Sequence, residues 1–253
     1  MPDLTPSPWF QPAPDASRPL RLFAFSFAGG SAATFRDWQA GLDPAIALSA
    51  VQLPGRAARF GEPPIRALPA LVDALCAALE QVRPQPFAFF GHSLGALLAF
   101  EVSRRLQARS QPLPVHLFLS GCQAPRYRSP PEGLSRLSDD RLIEALRRYD
   151  GTPPEVLEHR ELMELLLPMI RADFGLVDDY RYVEAPRLPV PLTVLAGRQD
   201  RIERPEQVSG WGQETAASCR VAWFDGGHFF LLPERAAVLD CINRDLASAA
   251  HGR

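Results

Sequence analysis

Ser93 stands between two glycines, Gly91 and Gly95, in the pattern G-x-S-x-G. The run 87–90 before it is wholly apolar and is typical of a strand buried on both faces, and apolar residues at helical spacing follow it. The pattern predicts that Ser93 lies at the tip of a tight strand-to-helix turn, with its hydroxyl projecting from the sheet edge as a nucleophile. The backbone N–H of Leu94, at the helix start, is expected to stabilise an oxyanion beside it.

A serine nucleophile needs a base, and in this arrangement an acid and a histidine follow the serine along the chain. The sequence has five histidines. His228 follows two glycines on a loop after a late strand-like run, so it can reach over the sheet edge towards Ser93 and is the predicted general base. The other four histidines fit other positions: His92 the turn itself, His116 a strand-like run, His159 a charged helical stretch and His251 the chain terminus.

Asp200 is the predicted acid, because a buried strand-like run, 192–196, ends in a glycine turn that delivers it to the same sheet edge. An aspartate there can accept the N–H of His228 and fix the tautomer of the imidazole. Asp178 and Asp179 are rivals, but they lie in a helix-like stretch. Asp225 is too close in sequence to the histidine to be an easy partner.

A second oxyanion donor is expected on an early loop after a strand. The strand-like run 20–25 is followed by Ala28, Gly29 and Gly30, which predict an exposed backbone at the start of a helix carrying Phe35 and Trp38. We predict that the N–H of Ala28 completes the oxyanion hole. A flexible turn is the plainer interpretation, and a phosphate-binding loop is disfavoured because no lysine follows.

Strand-like runs alternate with helical segments along most of the chain, which predicts an α/β fold with a mostly parallel sheet covered by helices on both faces. The runs are 20–25, 46–52, 86–90, 115–120, 191–196 and 220–224. We expect a single domain at 20–248 after a disordered, proline-rich segment at 1–19. Residues 122–186 form a helical insertion, interpreted as a lid or, alternatively, as extra core helices.

Seven separated stretches make the chain resemble the type II thioesterases that accompany nonribosomal peptide and polyketide synthases, within the α/β-hydrolase superfamily. They are FAGGSAATFRDW, VQLPGR, GHSLGALLAFEVSRRL, LFLSGCQAP, RADFGLVDDYRY, TVLAGRQD and GGHFFL. The resemblance spans residues 20–232 in the expected order. Two positions depart from it: Ser26 replaces a usual proline and Leu94 a common methionine. Neither change removes a backbone N–H, although Ser26 is expected to loosen the loop that leads to Ala28.

The resemblance implies a serine thioesterase that hydrolyses acyl groups from the phosphopantetheine arm of acyl or peptidyl carrier domains and so edits stalled synthases. It also implies that the lid shapes an acyl pocket and that the protein needs no cofactor, because the substrate carries the phosphopantetheine. A small-molecule esterase or an acyltransferase with the same triad stays an alternative, as does a non-catalytic binding module.

Composition is consistent with a single cytoplasmic domain. The chain has 253 residues, 46% of them hydrophobic, and a formal net charge of -2. No basic face is evident, which disfavours nucleic acid as a partner, and every cation other than histidine is arginine, which excludes a lysine nucleophile. No run is long enough to span a membrane, and the four scattered cysteines predict buried thiols without a metal site.

The oligomeric state is expected to be a monomer, and the partner a carrier domain. Carrier domains of this kind tend to be acidic, so three arginines at the start of the insertion form a hypothetical docking patch: Arg126, Arg128 and Arg136.

Overall fold

The computed structural model describes residues 7–127, 133–149, 151–202 and 205–250. Within them the strands form one sheet in the order β1-β3-β2-β4-β5-β6-β7, in which β1 pairs with β3 antiparallel and all other neighbours are parallel. The strands are β1 (Phe10–Gln11), β2 (Leu20–Phe25), β3 (Ile46–Val51), β4 (Phe87–His92), β5 (Leu117–Ser120), β6 (Leu192–Gly197) and β7 (Cys219–Phe224). The predicted mostly parallel sheet is confirmed.

Both faces of the sheet are buried because its central strands consist almost entirely of apolar residues. Phe23 and Phe89 belong to a core cluster on one face that includes residues of α1 (Leu68–Glu80) and α2 (Leu94–Ala108). Phe90 belongs to a second cluster that includes residues of α7 (Arg235–Ala250). Helices therefore cover both faces, and the carboxyl ends of β2, β4, β5 and β6 meet at one edge.

We predicted a disordered segment at 1–19, but the part of it that the structure describes, 7–19, contains a strand. Phe10 and Gln11 pair with Val51 and Ala50 as strand β1. The reason is apolar burial: the ring of Phe10 is 3% exposed and lies 4.9 Å from the ring of Phe23. A single aromatic residue in a proline-rich stretch is too weak a periodic signal to predict a strand.

The insertion between β5 and β6 is helical, as the sequence predicts. It contains α3 (Asp139–Tyr149), α4 (Pro154–Glu158) and α5 (Arg160–Asp178). Its apolar side chains form a small core of their own, with Leu142, Met163 and Phe174 buried. Helix α6 (Pro205–Ser209) follows β6.

The helix predicted after Ala28-Gly29-Gly30 is not continuous. The chain forms short 3₁₀ helices at Ala32–Phe35 and Gln39–Gly41 instead of an α-helix. Phe35 and Trp38 are nevertheless buried, because their rings pack on Phe90. Among the described helices, none combines the length and apolar character needed to cross a lipid bilayer.

Candidate active site

The turn that carries Ser93 requires glycine on both sides. Ser93 has φ 55° and ψ -116°, a conformation that a residue with a side chain seldom adopts. A Cβ atom on Gly91 would lie 2.2 Å from the carbonyl oxygen of Gly95, and one on Gly95 would lie 2.1 Å from that of Phe25. Because such contacts are impossible, only glycine lets β4, α2 and β2 meet at this point.

Helix α2 begins directly after Ser93, with Leu94 as its first residue. The N–H of Ser93 donates to the carbonyl oxygen of Ser120 at the end of β5, at 2.8 Å, which anchors the turn to the neighbouring strand. The first N–H groups of a helix lack partners within the helix, and the positive end of the helix dipole lies here. The N–H of Leu94 therefore favours negative charge beside Ser93.

His228 and Asp200 form a buried pair at the same sheet edge. Nδ1 of His228 lies 2.9 Å from Oδ2 of Asp200, and the two side chains are 4% and 1% exposed. The other carboxylate oxygen, Oδ1, accepts the N–H of Ile202 at 2.8 Å. Both oxygens are thus held, which fixes the orientation of the carboxylate and of the imidazole beyond it.

Close contact between two loops brings the histidine to the aspartate. A Cβ atom on Gly197, the last residue of β6, would lie 2.5 Å from the carbonyl oxygen of Gly227. Gln199 donates its N–H to the carbonyl oxygen of Gly226 at 3.0 Å. The loop after β6 and the loop after β7 therefore run side by side. His228 lies on the loop after β7, directly after Gly227.

Ser93, His228 and Ala28 line one small cavity of about 30 Å³. Within the described part of the chain, Nε2 of His228 is buried and has no hydrogen-bond partner. The structure thus brings Ser93 and His228 to the same cavity without a direct hydrogen bond between them. Such bonds are often long before a substrate binds and tighten in the complex.

Ala28 lies in a tight turn whose third residue must be glycine. The N–H of Gly30 donates to the carbonyl oxygen of Phe27 at 2.9 Å, and Gly29 has φ 80°. This geometry is typical of a type II turn, with Ala28 at the second position and the positive φ at the third. The predicted loop thus has the geometry of a defined turn.

The ring of His92 lies next to the ring of His228, with the two ring centres 5.1 Å apart. Nδ1 of His92 lies 2.9 Å from Oγ of Ser120. Burial, reinforced by the nearby charge of His228, holds the pKa of His92 well below its usual value. His92 is therefore a neutral ring that packs beside His228.

The helical insertion forms one wall of the cavity. Its lining residues from α3, the following loop and α5 are Leu146, Tyr149, Gly151, Thr152 and Phe174. A cavity of this size holds no more than one or two waters. In this structure the cavity therefore has no room for a larger ligand.

The Thioesterase domain family matches residues 20–246, which is most of the chain. The chain belongs to the thioesterase family. It is 39% identical over 249 residues to linear gramicidin dehydrogenase LgrE of Brevibacillus parabrevis, covering 97% of this chain and 95% of that relative. Although that name denotes a dehydrogenase, this sequence contains no G-x-G-x-x-G dinucleotide fingerprint.

Two solved structures of type II thioesterases are similar to this thioesterase in fold and in sequence. One is the type II thioesterase BorB from the borrelidin biosynthetic cluster, with a TM-score of 0.87, 34% identity and coverage of 96% of this chain and 100% of BorB. The other is YbtT, a type II thioesterase from the yersiniabactin NRPS/PKS pathway, with a TM-score of 0.84, 34% identity and coverage of 93% and 96%. The predicted α/β-hydrolase fold, the resemblance to type II thioesterases and the enzyme class, a thioester hydrolase, are confirmed.

The rival acids of the thioesterase pair with groups other than His228. Asp178 is buried at the end of α5, where it accepts the N–H of Ser135 at 2.8 Å. Asp179 and Asp225 form ion pairs with exposed arginines. Of the four candidate aspartates, Asp200 is the one that contacts the ring of His228.

The remaining histidines make other contacts. Nε2 of His116 lies 2.9 Å from Oγ1 of Thr193. The ring of His159 accepts the N–H of Leu162 at 3.3 Å and so caps α5. His251 lies outside the described residues.

The arginines of the hypothetical docking patch are compensated by acidic neighbours. Arg126 lies 3.2 Å from Glu184, and Arg136 lies 3.0 Å from Asp179. Arg128 lies outside the described residues. The acids partly neutralise these charges, and the docking patch stays a prediction.

Sequence reasoning missed two charged residues beside the turn of Ala28. Arg56 and Asp173 are buried and form an ion pair that contacts Gly29 and Gly30. The stretches VQLPGR and RADFGLVDDYRY contain them, but nothing in either stretch indicates that two residues 117 positions apart meet. Arg56 is the one charged residue of VQLPGR and was the available signal, whereas Asp173 is one of several charged residues in its stretch.

Proposed function

We propose that Ser93, His228 and Asp200 form the catalytic triad of a thioesterase that releases acyl groups from the phosphopantetheine arm of a carrier domain. The observation that carries the proposal is the buried contact of 2.9 Å between His228 and Asp200 at a cavity that Ser93 lines. Without a positioned base, a serine hydroxyl is a weak nucleophile at neutral pH.

In the acylation step, Nε2 of His228 takes the proton of Ser93 as the serine oxygen attacks the thioester carbonyl. Asp200 holds Nδ1–H and stabilises the imidazolium. The N–H groups of Ala28 and Leu94 bind the oxyanion of the tetrahedral intermediate. The carbon–sulfur bond then breaks, and the pantetheine thiol leaves with a proton.

In the deacylation step, the same imidazole takes a proton from a water molecule that attacks the acyl-serine carbonyl. The Ser93 oxygen leaves and regains a proton from His228, which frees the carboxylic acid and restores the enzyme. A thiolate leaves more readily than an amine, so protonation of the leaving group matters less here than in amide cleavage.

The insertion serves as a lid in this proposal. It forms one wall of a cavity too small for an acyl chain, so its displacement is required for the substrate to bind. The partner is an acyl or peptidyl carrier domain of a synthase, and the reaction removes acyl groups that block carriers. The triad requires no cofactor, and the protein acts as a cytoplasmic monomer.

The test is acyl release from a thioester-loaded carrier protein by the parent protein, Ser93→Ala and Ser103→Ala. Ser103 is a matched control, because it lies buried on the same helix and its hydroxyl donates to the carbonyl oxygen of Ala99. We expect rapid release by the parent and the control, and a loss of roughly 10⁴-fold or more in Ser93→Ala.

Two results would overturn parts of the proposal. Release that persists in Ser93→Ala would remove the serine mechanism. If the parent cleaves small oxygen esters in a Ser93-dependent way but leaves loaded carriers intact, the triad stands and the carrier substrate is wrong.

A further inference from the structure

Arg56 and Asp173 form a two-bonded ion pair beneath the turn that contains Ala28. The Arg56 guanidinium donates from Nη1 to Oδ2 of Asp173 at 2.6 Å and from Nη2 to Oδ1 at 2.7 Å. The side chains are 4% and 2% exposed. Arg56 follows β3, whereas Asp173 lies on α5 of the insertion. Two distant parts of the chain therefore meet at this pair.

The pair also holds the backbone on both sides of the turn. Oδ2 of Asp173 accepts the N–H of Gly29 at 2.8 Å, and Nη1 of Arg56 donates to the carbonyl oxygen of Gly30 at 3.0 Å. Gly30 in turn donates its N–H to the carbonyl oxygen of Phe27. That carbonyl shares a planar peptide group with the N–H of Ala28, so its orientation sets the direction of that N–H.

We propose that Asp173 and Arg56 are positioning residues that aim the N–H of Ala28 at the oxyanion and couple this turn to the insertion. The inference rests on the proposed function, because it assigns these residues to the oxyanion hole of that mechanism. The ion pair fixes the turn before the substrate arrives, so the donor needs no reorganisation when the charge forms.

Burial of the pair argues for a positioning role. A buried ion pair adds little stability beyond that of apolar residues of similar volume, because both charges lose their hydration. Here the same charged atoms also satisfy two backbone groups of a tight turn. Apolar replacements would leave the N–H of Gly29 and the carbonyl oxygen of Gly30 without these partners.

Helix α5 connects the Arg56–Asp173 pair to the wall of the cavity that Ser93 lines. Phe174, the residue after Asp173, lines the cavity with Ser93. On the same helix, Ile170 packs on the turn, since a Cβ atom on Gly29 would lie 3.2 Å from Cγ1 of Ile170. A movement of α5 would therefore shift the oxyanion donor and the cavity wall together.

The first test compares Asp173→Asn with Asp178→Asn. An amide has one oxygen and one NH₂ group, so the new side chain cannot accept from both Arg56 and Gly29 without turning its NH₂ towards a donor. Asp178 is a matched control, because it is a buried carboxylate on the same helix that accepts one backbone N–H, from Ser135.

We expect kcat per active site to fall about 10- to 100-fold in Asp173→Asn, with KM for an acyl-pantetheine changed less than about threefold. Titration of Ser93 to completion with a fluorophosphonate supplies the number of active sites. The pH profile of kcat should keep its shape, because the contact between His228 and Asp200 is intact. Asp178→Asn should keep the parental kcat per site.

Arg56→Lys is the second variant, with Arg59→Lys as its control. Lysine keeps the charge of Arg56 but cannot bind both oxygens of Asp173 and the carbonyl oxygen of Gly30 in one plane. Arg59 is also buried and paired, with Glu62, but it does not contact Gly29, Gly30 or Asp173. We expect kcat per site to fall in Arg56→Lys and to stay within about twofold in Arg59→Lys.

A purely structural role would lower the melting temperature and the titratable fraction while leaving kcat per titrated site at the parental value. That result in either Asp173→Asn or Arg56→Lys would overturn the inference, as would equal losses in the controls. Failure of the proposed function looks different, because the parent protein itself would then not be titrated at Ser93.

Discussion

The ring of Phe229 packs directly against the backbone of Gly151, so that a Cβ atom on Gly151 would lie 2.1 Å from Cε2 of the ring. Gly151 belongs to the insertion, whereas Phe229 follows His228 on the loop after β7. The ring of Phe229 also contacts the ring of Phe27, with ring centres 4.8 Å apart. The insertion therefore meets the loop that carries His228 at this contact.

Gly151→Ala should open the cavity, because the new methyl group and the ring of Phe229 cannot occupy the same space. We expect the ratio of kcat/KM for octanoyl- over acetyl-pantetheine to rise at least about threefold. Gly175→Ala is the control, because on the same insertion its Cβ would meet only Ser135, at 3.9 Å. An unchanged ratio in Gly151→Ala would contradict closure at this contact.

Asp200→Asn should abolish most activity by reversing the tautomer of His228. The N–H of Ile202 already binds one carboxylate oxygen, so it holds the carbonyl oxygen of the new amide and turns the NH₂ group towards Nδ1. Nε2 then carries the proton and cannot accept one from Ser93. We expect kcat to fall roughly 10³- to 10⁴-fold.

Asp225→Asn is the control for this experiment, since its exposed carboxylate pairs with Arg198. Stopped-flow measurement of acyl transfer to Ser93 follows the affected step directly. Equal rates in Asp200→Asn and the parent would remove Asp200 from the proposed mechanism.

Gly95→Ala should destabilise the fold as well as the site. Its Cβ would lie 2.1 Å from the backbone oxygen of Phe25, an atom that cannot rotate away as a side chain can. We expect a loss of about 3 kcal/mol in the free energy of unfolding, measured with urea. Gly61→Ala, whose Cβ would meet no atom within 4 Å, should change it by less than about 0.5 kcal/mol.

His116 should make the protein less stable in mild acid. Burial lowers the pKa of His116 from 6.5 to about 4, although Asp245 opposes the shift. Between these values the unfolded chain binds more protons than the folded protein, so this contribution is present above about pH 6.5 and is lost as the pH falls towards 4.

The resulting loss in the free energy of unfolding is at most about 3 kcal/mol. In His116→Gln, the pH dependence of the free energy of unfolding between pH 6.5 and 4 should be shallower than in the parent. Urea unfolding at several pH values measures it. Parallel curves for the two proteins would show that His116 does not contribute.

The strands and the order of the site residues could be predicted from the sequence, because each depends on local patterns. The apolar runs predict β2 to β7 to within a few residues, and the glycines around Ser93 predict the strand-to-helix turn that the structure contains. The short strand β1 was missed, and the residues after Gly30 form two short 3₁₀ helices where one helix was predicted. In both cases the burial of an aromatic side chain in the tertiary structure outweighs the weak secondary-structure preference of the local sequence.

By itself, the sequence determined the fold class, the family resemblance and the candidates Ser93, Asp200 and His228, because these follow from residue types, their spacing and their order. Only the tertiary structure decided that Asp200 contacts His228, that the insertion contacts Phe229, and that Arg56 and Asp173 meet at the turn of Ala28. These contacts join residues from different elements, and their geometry depends on how the sheet, the loops and the insertion pack together.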